Sequence, residues 1–250
     1  DLVEIAREFD LKALPFVQKA DRKAYPEKFL NSAVETASVG ATSGSTGSPM
    51  ANYIDRNSYQ SRYALLSRHR EWAGAKVGCR SVRLSGNLII SSQQTKPPFW
   101  IRNLAENQLL VSTYHLNDTN LPQVWSAIKR WNPEIIDGYN SAIAIIARYA
   151  ASVGEKLPGL KGAVTTAELL TPSAREEIEK GLGVKVLDYY SASEGIPIAL
   201  QHPDGNYYVR PESGLFEIID SNRTVLENSD EVGQIVATSL LQRRTPLIRY

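Results

Sequence analysis

The chain has 250 residues, of which 42% are hydrophobic and 22% are charged, a composition typical of folded globular proteins and unlike that of disordered ones. The 28 basic side chains nearly balance the 27 acidic ones, so bulk charge gives no reason to expect binding to nucleic acid or to an anionic membrane. No apolar run reaches the roughly 20 residues of a membrane-spanning helix. Cys79 is the only cysteine, which excludes an internal disulfide and makes a cytoplasmic location the expectation.

The first part of the chain alternates between helical and strand patterns. Aromatic and apolar residues recur at helical spacing over residues 57–72, and a strand-like run follows over 82–90. A short apolar strand is predicted over 108–113. Asn117 and Asp118 then predict the start of a second helix, because both residue types favour helix N-termini.

The same alternation continues to residue 189. Strands are predicted over 134–137, 162–166 and 184–189, with a helix over 141–152. Thr171 and Pro172 predict the N-cap and first residue of another helix, which Gly181 or Gly183 would end. Strands and helices alternating in this way predict an α/β fold, with a parallel sheet covered by helices.

The pattern changes after residue 200. Strands are predicted over 206–209, 215–220 and 233–238 with no helix between them, which indicates a small antiparallel β subdomain. The predicted organisation is an α/β core over 1–200 and a β subdomain over 201–250. The chain begins at Asp1 and stops at Tyr250, just after the apolar run 246–248, so we expect a fragment of a longer protein.

Residues 41–49 are rich in glycine and hydroxyl side chains and read Ala-Thr-Ser-Gly-Ser-Thr-Gly-Ser-Pro. Glycine lets the backbone approach a ligand closely, and successive N–H groups form a concavity that binds anions. The segment therefore suits a polyphosphate, although it lacks the Gly-Lys-Ser/Thr of a Walker A loop. A flexible Ser/Gly linker is the alternative interpretation.

Two further segments follow predicted strands, at the sheet edge where α/β folds collect their ligands. In residues 188–195, the ring of Tyr190 can stack on a base and the carboxylate of Glu194 can hold a divalent ion. A solvated acid beside packed tyrosines is the alternative there. In residues 165–172, helix capping is expected, and a ligand role needs other support.

In this order and spacing, the three segments resemble those of the adenylate-forming enzymes. This superfamily contains acyl- and aryl-CoA ligases, luciferases and peptide-synthetase adenylation domains. Residues 42–49 are similar to its phosphate loop Thr-Ser-Gly-x-Thr-Gly-x-Pro, and residues 190–194 to its Tyr-Gly-x-Thr-Glu motif. Ala167 and Glu168 are similar to its adenine-contacting Gly-Glu segment.

Three other segments resemble the phenylacetate–CoA ligase branch, and within it the CapK-like capsular-polysaccharide-biosynthesis proteins; they span residues 96–100, 112–116 and 137–141. The chain departs from the superfamily pattern at Ser191, where glycine is usual, and at Ser193, where threonine is usual. The fold that the resemblance implies is the large N-terminal part of an adenylate-forming enzyme, with the small C-terminal domain of that superfamily lying beyond Tyr250.

The resemblance implies a reaction in which a carboxylate attacks the α-phosphorus of ATP, giving an acyl-adenylate and pyrophosphate. ATP and Mg²⁺ are the implied ligands, and coenzyme A is one option for the acceptor, beside an amine or a sugar. The implied phosphate-binding residues, of which Thr46 is also assigned to catalysis, are Thr42, Ser43, Gly44, Ser45, Thr46 and Gly47. The resemblance further implies that Ala167, Glu168 and Tyr190 bind adenine and that Ser193 binds the α-phosphate. It also implies that the catalytic Glu194 binds Mg²⁺.

Residues that flank predicted strand ends are candidates for the acid pocket, namely Tyr114, His115, Tyr139 and Asn140. For His115 the alternative is a packing or capping histidine. Arg249 is placed near the nucleotide by the resemblance, and a surface salt bridge is its alternative. The expected partners are a small carboxylic acid and ATP, and the resemblance leaves a homodimer open.

Two other functions compete with a ligase. One is a nucleotide-binding or interaction module derived from this fold that does not catalyse the reaction. The other is a P-loop kinase, which is disfavoured because the lysine that would reach the phosphates is missing.

Overall fold

The computed structural model describes residues 11–41, 50–228 and 230–250. The described residues contain twelve strands and five α-helices. The strands are β1 (Ser38–Ala41), β2 (Ala51–Ile54), β3 (Ser81–Ser85), β4 (Trp100–Asn103), β5 (Gln108–Ser112), β6 (Ile135–Tyr139), β7 (Gly162–Thr166), β8 (Lys185–Tyr190), β9 (Ala199–Gln201), β10 (Tyr207–Val209), β11 (Gly214–Ile219) and β12 (Gln234–Ser239). The helices are α1 (Lys19–Ala24), α2 (Arg56–Trp72), α3 (Leu121–Trp131), α4 (Asn140–Ser152) and α5 (Pro172–Leu182).

The chain divides into two compact units. The first unit takes the described parts of Asp1–Tyr63 together with Ser191–Ile198 and Val209–Tyr250, and the second takes Ala64–Tyr190 and Ala199–Tyr208. The predicted division at residue 200 stays a prediction. None of the described helices combines the length and the apolar character needed to cross a membrane.

An eight-stranded sheet, in the order β10-β9-β8-β7-β6-β3-β5-β4, forms the centre of the second unit. The five central strands run parallel, whereas β4 and β9 pair antiparallel with β5 and β8. The central strands are apolar on both faces and supply fully buried side chains such as Val82, Leu84, Ile135 and Ile136, as expected for a parallel sheet covered by helices. The predicted α/β fold is confirmed.

Helices α4 and α5 pack closely against each other in this unit. A Cβ atom on Gly181 would lie 2.4 Å from the carbonyl oxygen of Ala147, so only glycine permits this approach. Helix α5 begins as predicted, because the Thr171 hydroxyl accepts a hydrogen bond from the Ala174 N–H at 3.2 Å. Of the two candidate ends, Gly183 is the residue at which the helix stops, with φ of 72°.

The first unit contains two small antiparallel sheets, one formed by β1 and β2 and one by β11 and β12. Arg249 is buried in this unit and pairs with Glu217 through bonds of 3.1 and 3.0 Å. Its Nη1 also donates to the carbonyl oxygens of Lys12 and Leu14, at 2.8 and 2.6 Å. Arg249 therefore forms a buried salt bridge and not the surface one given as the alternative. Its bonds to Lys12 and Leu14 attach that segment to the last strand pair.

Two predicted strands differ from the structure. The strand predicted over 82–90 ends at Ser85, and Leu88 beyond it is exposed. The strand predicted over 206–209 joins the eight-stranded sheet as β10 and is not part of the C-terminal antiparallel sheet. The edge strand β4 was not predicted, because Trp100–Asn103 alternates only weakly between apolar and polar residues.

Candidate functional site

The carboxyl ends of three neighbouring parallel strands carry predicted site residues. Strands β6, β7 and β8 lie side by side, with Tyr139 opposite Thr166 and Thr166 opposite Tyr189. Tyr139 ends β6, Tyr190 ends β8, and Ala167 directly follows β7. The structure therefore brings the acid-pocket candidates and the adenine candidates of the second unit to one edge of the sheet.

The turn after β7 is tied to the start of α4. Its Glu168 carboxylate accepts hydrogen bonds from the backbone N–H and the hydroxyl of Ser141, both at 2.9 Å. The side-chain amide of Asn140 donates to the Leu169 carbonyl at 3.0 Å. A carboxylate on the first N–H groups of a helix is favourable because those groups have no partner within the helix. Glu168 thus fixes this turn through its side chain, and its carbonyl also accepts from the Asn140 amide at 3.5 Å.

Ala167 adopts an unusual backbone conformation in the same turn. Its φ is +70°, in the left-handed region that costs a residue with a Cβ atom roughly 1–2 kcal/mol. The related motif of the superfamily has glycine at this place, which would adopt the same conformation without that cost. The strained backbone and the capped turn together hold one defined shape at the end of β7.

Tyr139 and Tyr114 both approach the backbone of Gly86. A Cβ atom on Gly86 would lie 2.6 Å from the Tyr139 hydroxyl oxygen, so glycine makes room for this ring. The Tyr114 hydroxyl donates to the Gly86 carbonyl at 3.1 Å, while most of its ring is exposed. Both tyrosines therefore line the region beyond β3, where a role in acid binding stays a prediction.

His115 is buried and both of its ring nitrogens are engaged. Nε2 lies 3.0 Å from the Gln94 carbonyl and Nδ1 lies 2.8 Å from the Ser112 hydroxyl oxygen. Because a carbonyl can only accept, Nε2 is the donor and Nδ1 accepts from Ser112. The ring also stacks on Phe99 at a centroid distance of 4.9 Å. These contacts match the packing alternative, and a direct bond from His115 to a substrate stays a prediction.

Glu194 lies in the first unit and is almost fully buried. Its Oε1 is 3.3 Å from the Lys19 ammonium, and its Oε2 accepts a hydrogen bond from the Ser193 hydroxyl at 3.2 Å. The backbone of Ser193 is held in turn, because Asn52 donates to its carbonyl at 3.1 Å and itself accepts from Arg22 at 3.2 Å. Burial, and then the charge of Glu194, raise the pKa of Tyr250.

The sequence motifs missed Lys19, Arg22 and Asn52 as part of this site. Lys19 and Arg22 are three residues apart on α1, a spacing that places both on one helix face. That basic face was the signal available in the sequence, but nothing in it indicated which carboxylate the face would meet.

The predicted phosphate loop lies outside the described residues, and so do all its candidates: Thr42, Ser43, Gly44, Ser45, Thr46 and Gly47. The strands that precede and follow it, β1 and β2, are described and are paired along their full length from Ser38 opposite Ile54. Among the described residues no three His, Cys, Asp or Glu side chains are grouped as a metal site would require.

Comparisons with known proteins connect these motifs to a family. No family model matches the chain. It is 29% identical over 242 residues to Protein CapK of Staphylococcus aureus, and 26% identical over 250 residues to the phenylacetate-coenzyme A ligase of Thermus thermophilus. These are similarities to proteins of the adenylate-forming ligase superfamily. Both alignments cover 96% of the chain but 52% and 55% of the relatives, so it spans about half the length of the curated relatives it matches.

Solved structures share the fold of this chain. An open 2-hydroxyisobutyryl-CoA ligase in complex with 2-HIB-AMP and CoA covers 94% of the chain with a TM-score of 0.69 at 17% identity; the match spans 57% of that protein. ATP-bound MatB from Rhodopseudomonas palustris covers 85% of the chain with a TM-score of 0.59 at 12% identity, and the match spans 41% of that protein. The predicted fold class, the N-terminal part of an adenylate-forming enzyme, is confirmed.

Proposed function

We propose that the chain binds ATP and a carboxylic acid and forms the core of a ligase that activates the acid as an acyl-adenylate. The observation that carries this proposal is the contact between two of the motif segments. Asn140 and Ser141 hold the turn of Ala167 and Glu168 through direct hydrogen bonds, and Tyr190 ends the neighbouring strand. Parallel α/β sheets place their ligands at this edge.

In the proposed reaction, a carboxylate oxygen forms a bond to the α-phosphorus, and the bond from that phosphorus to the bridging oxygen breaks. Pyrophosphate leaves with the electron pair of that bond. Chemistry of this kind needs positioning and neutralisation of charge, and no side-chain nucleophile. In this proposal Ala167, Glu168 and Tyr190 bind adenine. Ser193 binds the α-phosphate, and residues 42–47 bind the triphosphate.

The first unit offers a place for Mg²⁺ at Glu194. Mg²⁺ prefers oxygen ligands and is commonly held by one or two carboxylates together with substrate phosphates. The Glu194 carboxylate already pairs with a cation at Oε1, the ammonium of Lys19, and Ser193 adds a hydroxyl oxygen beside it. In this proposal Mg²⁺ would take the place of the ammonium at Oε1 and take its remaining ligands from phosphate and water. Mg²⁺ would supply charge neutralisation, and Ser193 would orient the carboxylate.

The acid pocket is proposed beside β3 and β6, lined by Tyr114, Tyr139 and Asn140. His115 holds the segment that carries Tyr114 in place, because its two ring nitrogens bind Ser112 and Gln94. The acceptor in the second half-reaction is coenzyme A, an amine or a sugar.

Calorimetric titration with ATP, in the presence and absence of Mg²⁺, tests the nucleotide site. Glu194→Gln should weaken Mg²⁺-dependent ATP binding by about tenfold or more, because loss of a metal ligand or its support typically costs 10- to 100-fold. Glu35→Gln, an exposed acid in the same unit, is the matched control and should bind as the wild type does. A loss of the same size without Mg²⁺, or in both variants, would contradict the assignment of the metal to Glu194.

A nucleotide-binding module without catalysis is the second candidate function. Acid-dependent exchange of labelled pyrophosphate into ATP separates the two candidates, since only adenylation makes that exchange possible. Exchange driven by any member of a panel of small carboxylic acids supports the ligase. ATP binding without exchange across the panel supports the module.

A further inference from the structure

A buried hydrogen-bond network joins the ends of β7 and β8, and none of its members has a role in the proposed reaction. Asp188 on β8 accepts a hydrogen bond from the Thr165 hydroxyl on Oδ1 and another from the Tyr207 hydroxyl on Oδ2, both at 2.6 Å. Each carboxylate oxygen therefore has its own donor. Burial is the largest influence on this carboxyl group and raises its pKa.

The network lies just inside the sheet edge that carries the adenine candidates. Thr165 and Asp188 are opposite each other in the parallel ladder. Thr165 stands two residues before Ala167, and Asp188 stands two residues before Tyr190. The bond between their side chains therefore fixes how the two strand ends are placed relative to each other. The strained backbone of Ala167 needs such support, because a sparsely populated conformation persists only where its surroundings hold it.

Tyr207 reaches Asp188 from a strand that is itself anchored to β8. The side-chain oxygen of Gln201 accepts from the Asp188 backbone N–H at 3.1 Å and from Arg175 at 2.6 Å. The amide nitrogen of the same Gln201 side chain donates to the Gly205 carbonyl at 3.0 Å. The turn before β10 is thus attached to β8, which places the Tyr207 hydroxyl at Asp188, although the tyrosine is 47% exposed.

We propose that Tyr207 is a positioning residue for the nucleotide. By donating to Asp188 it holds the ends of β7 and β8, and with them Ala167 and Tyr190, in the arrangement that receives adenine. This inference rests on the proposed function. Loss of the hydroxyl leaves one buried carboxylate oxygen without its donor, and a hydrogen bond to a charged group is worth enough to change affinity by about tenfold.

Tyr208 provides a matched control for Tyr207. It is 46% exposed, lies on the same strand, and its hydroxyl also donates to a carboxylate, that of Asp204, at 2.9 Å. Tyr207→Phe and Tyr208→Phe therefore remove the same chemical group from neighbouring positions. Only the first removal affects the carboxylate behind the adenine candidates.

The experiment compares wild type, Tyr207→Phe and Tyr208→Phe by calorimetric titration with Mg²⁺-ATP and by amide hydrogen exchange over residues 166–169. We expect Tyr207→Phe to bind ATP about tenfold more weakly and to exchange faster over that segment, with Tyr208→Phe like the wild type in both. Thermal unfolding checks that both variants are folded.

Two outcomes overturn the inference. Whether the wild type binds ATP shows if the proposed function fails as well. If the wild type binds ATP and the two variants bind equally well, the inference is wrong and the proposed function stands. If the wild type does not bind ATP, the proposed function fails. In that case equal exchange over 166–169 in both variants shows that Tyr207 does not hold this segment either.

Discussion

Acid is expected to destabilise the second unit through one buried histidine. His69 is fully buried on α2, where its Nε2 donates to the Gln201 carbonyl at 2.9 Å. Its Nδ1 has no hydrogen-bond partner among the described residues, so a proton added there meets no acceptor. Burial is the main cause that lowers the pKa of His69 to about 4, and the charge of Arg70 lowers it further.

The size of the effect follows from the difference between the folded and unfolded pKa values. The unfolded chain protonates His69 near its ordinary pKa of about 6.5, whereas the folded chain does so only near 4. Between these values the unfolded state binds more protons, so the free energy of unfolding falls as the pH falls. One pKa unit corresponds to about 1.4 kcal/mol, so His69 should remove about 3 kcal/mol of stability between about pH 7 and about pH 4.

Urea unfolding followed by tryptophan fluorescence, at several pH values across this window, measures the effect. The His69→Gln variant is the comparison, because its amide nitrogen can still donate to the Gln201 carbonyl but cannot be protonated. We expect the variant to lose about 3 kcal/mol less than the wild type on acidification. His202→Gln, which changes a half-exposed histidine beside Asp204, should keep most of the wild-type loss. Parallel pH dependences for wild type and His69→Gln would refute the reasoning.

Two backbone substitutions are expected to act in opposite directions. Ala167→Gly should raise the free energy of unfolding by about 1 kcal/mol, because φ of +70° is strained for alanine and free for glycine. Urea denaturation measures it, and a decrease would show that this turn is not strained. Gly138→Ala should abolish folding of the second unit, since its Cβ would lie 1.8 Å from the Leu84 carbonyl oxygen in a residue with φ of +145°. Circular dichroism reports the loss, and Gly40→Ala, whose Cβ would meet nothing within 4 Å, is the control. A folded Gly138→Ala protein would contradict the close approach of β3 and β6.

Local signals in the sequence were sufficient for most of the second unit. The helix start at Thr171 and Pro172 rests on hydrogen bonding within one turn, so neighbouring residues alone determine it. The apolar runs of β6, β7 and β8 are long enough to indicate buried strands. The short strand β9 was missed because three buried residues do not form a readable period.

The candidate site was only half predictable, for a physical reason. Glu194 and Tyr190 belong to a recognisable motif. Lys19, which pairs with Glu194, lies far from that motif in the sequence. The engagement of both nitrogens of His115 depends on Gln94, which lies in an irregular segment. Contacts of this kind depend on tertiary packing, and no periodicity along the sequence records them. The same holds for Tyr207 and its bond to Asp188.

The buried pairing of Arg249 with Glu217, Lys12 and Leu14 has a consequence for the order in which the chain folds. Its bonds to the carbonyl oxygens of Lys12 and Leu14 join residues that are 237 and 235 positions apart, so closing them costs more chain entropy than closing a short loop. Most residues of the second unit lie in one continuous stretch, Ala64–Tyr190, and closing shorter loops is faster. The parallel sheet should therefore become ordered before the segment around Lys12 binds Arg249.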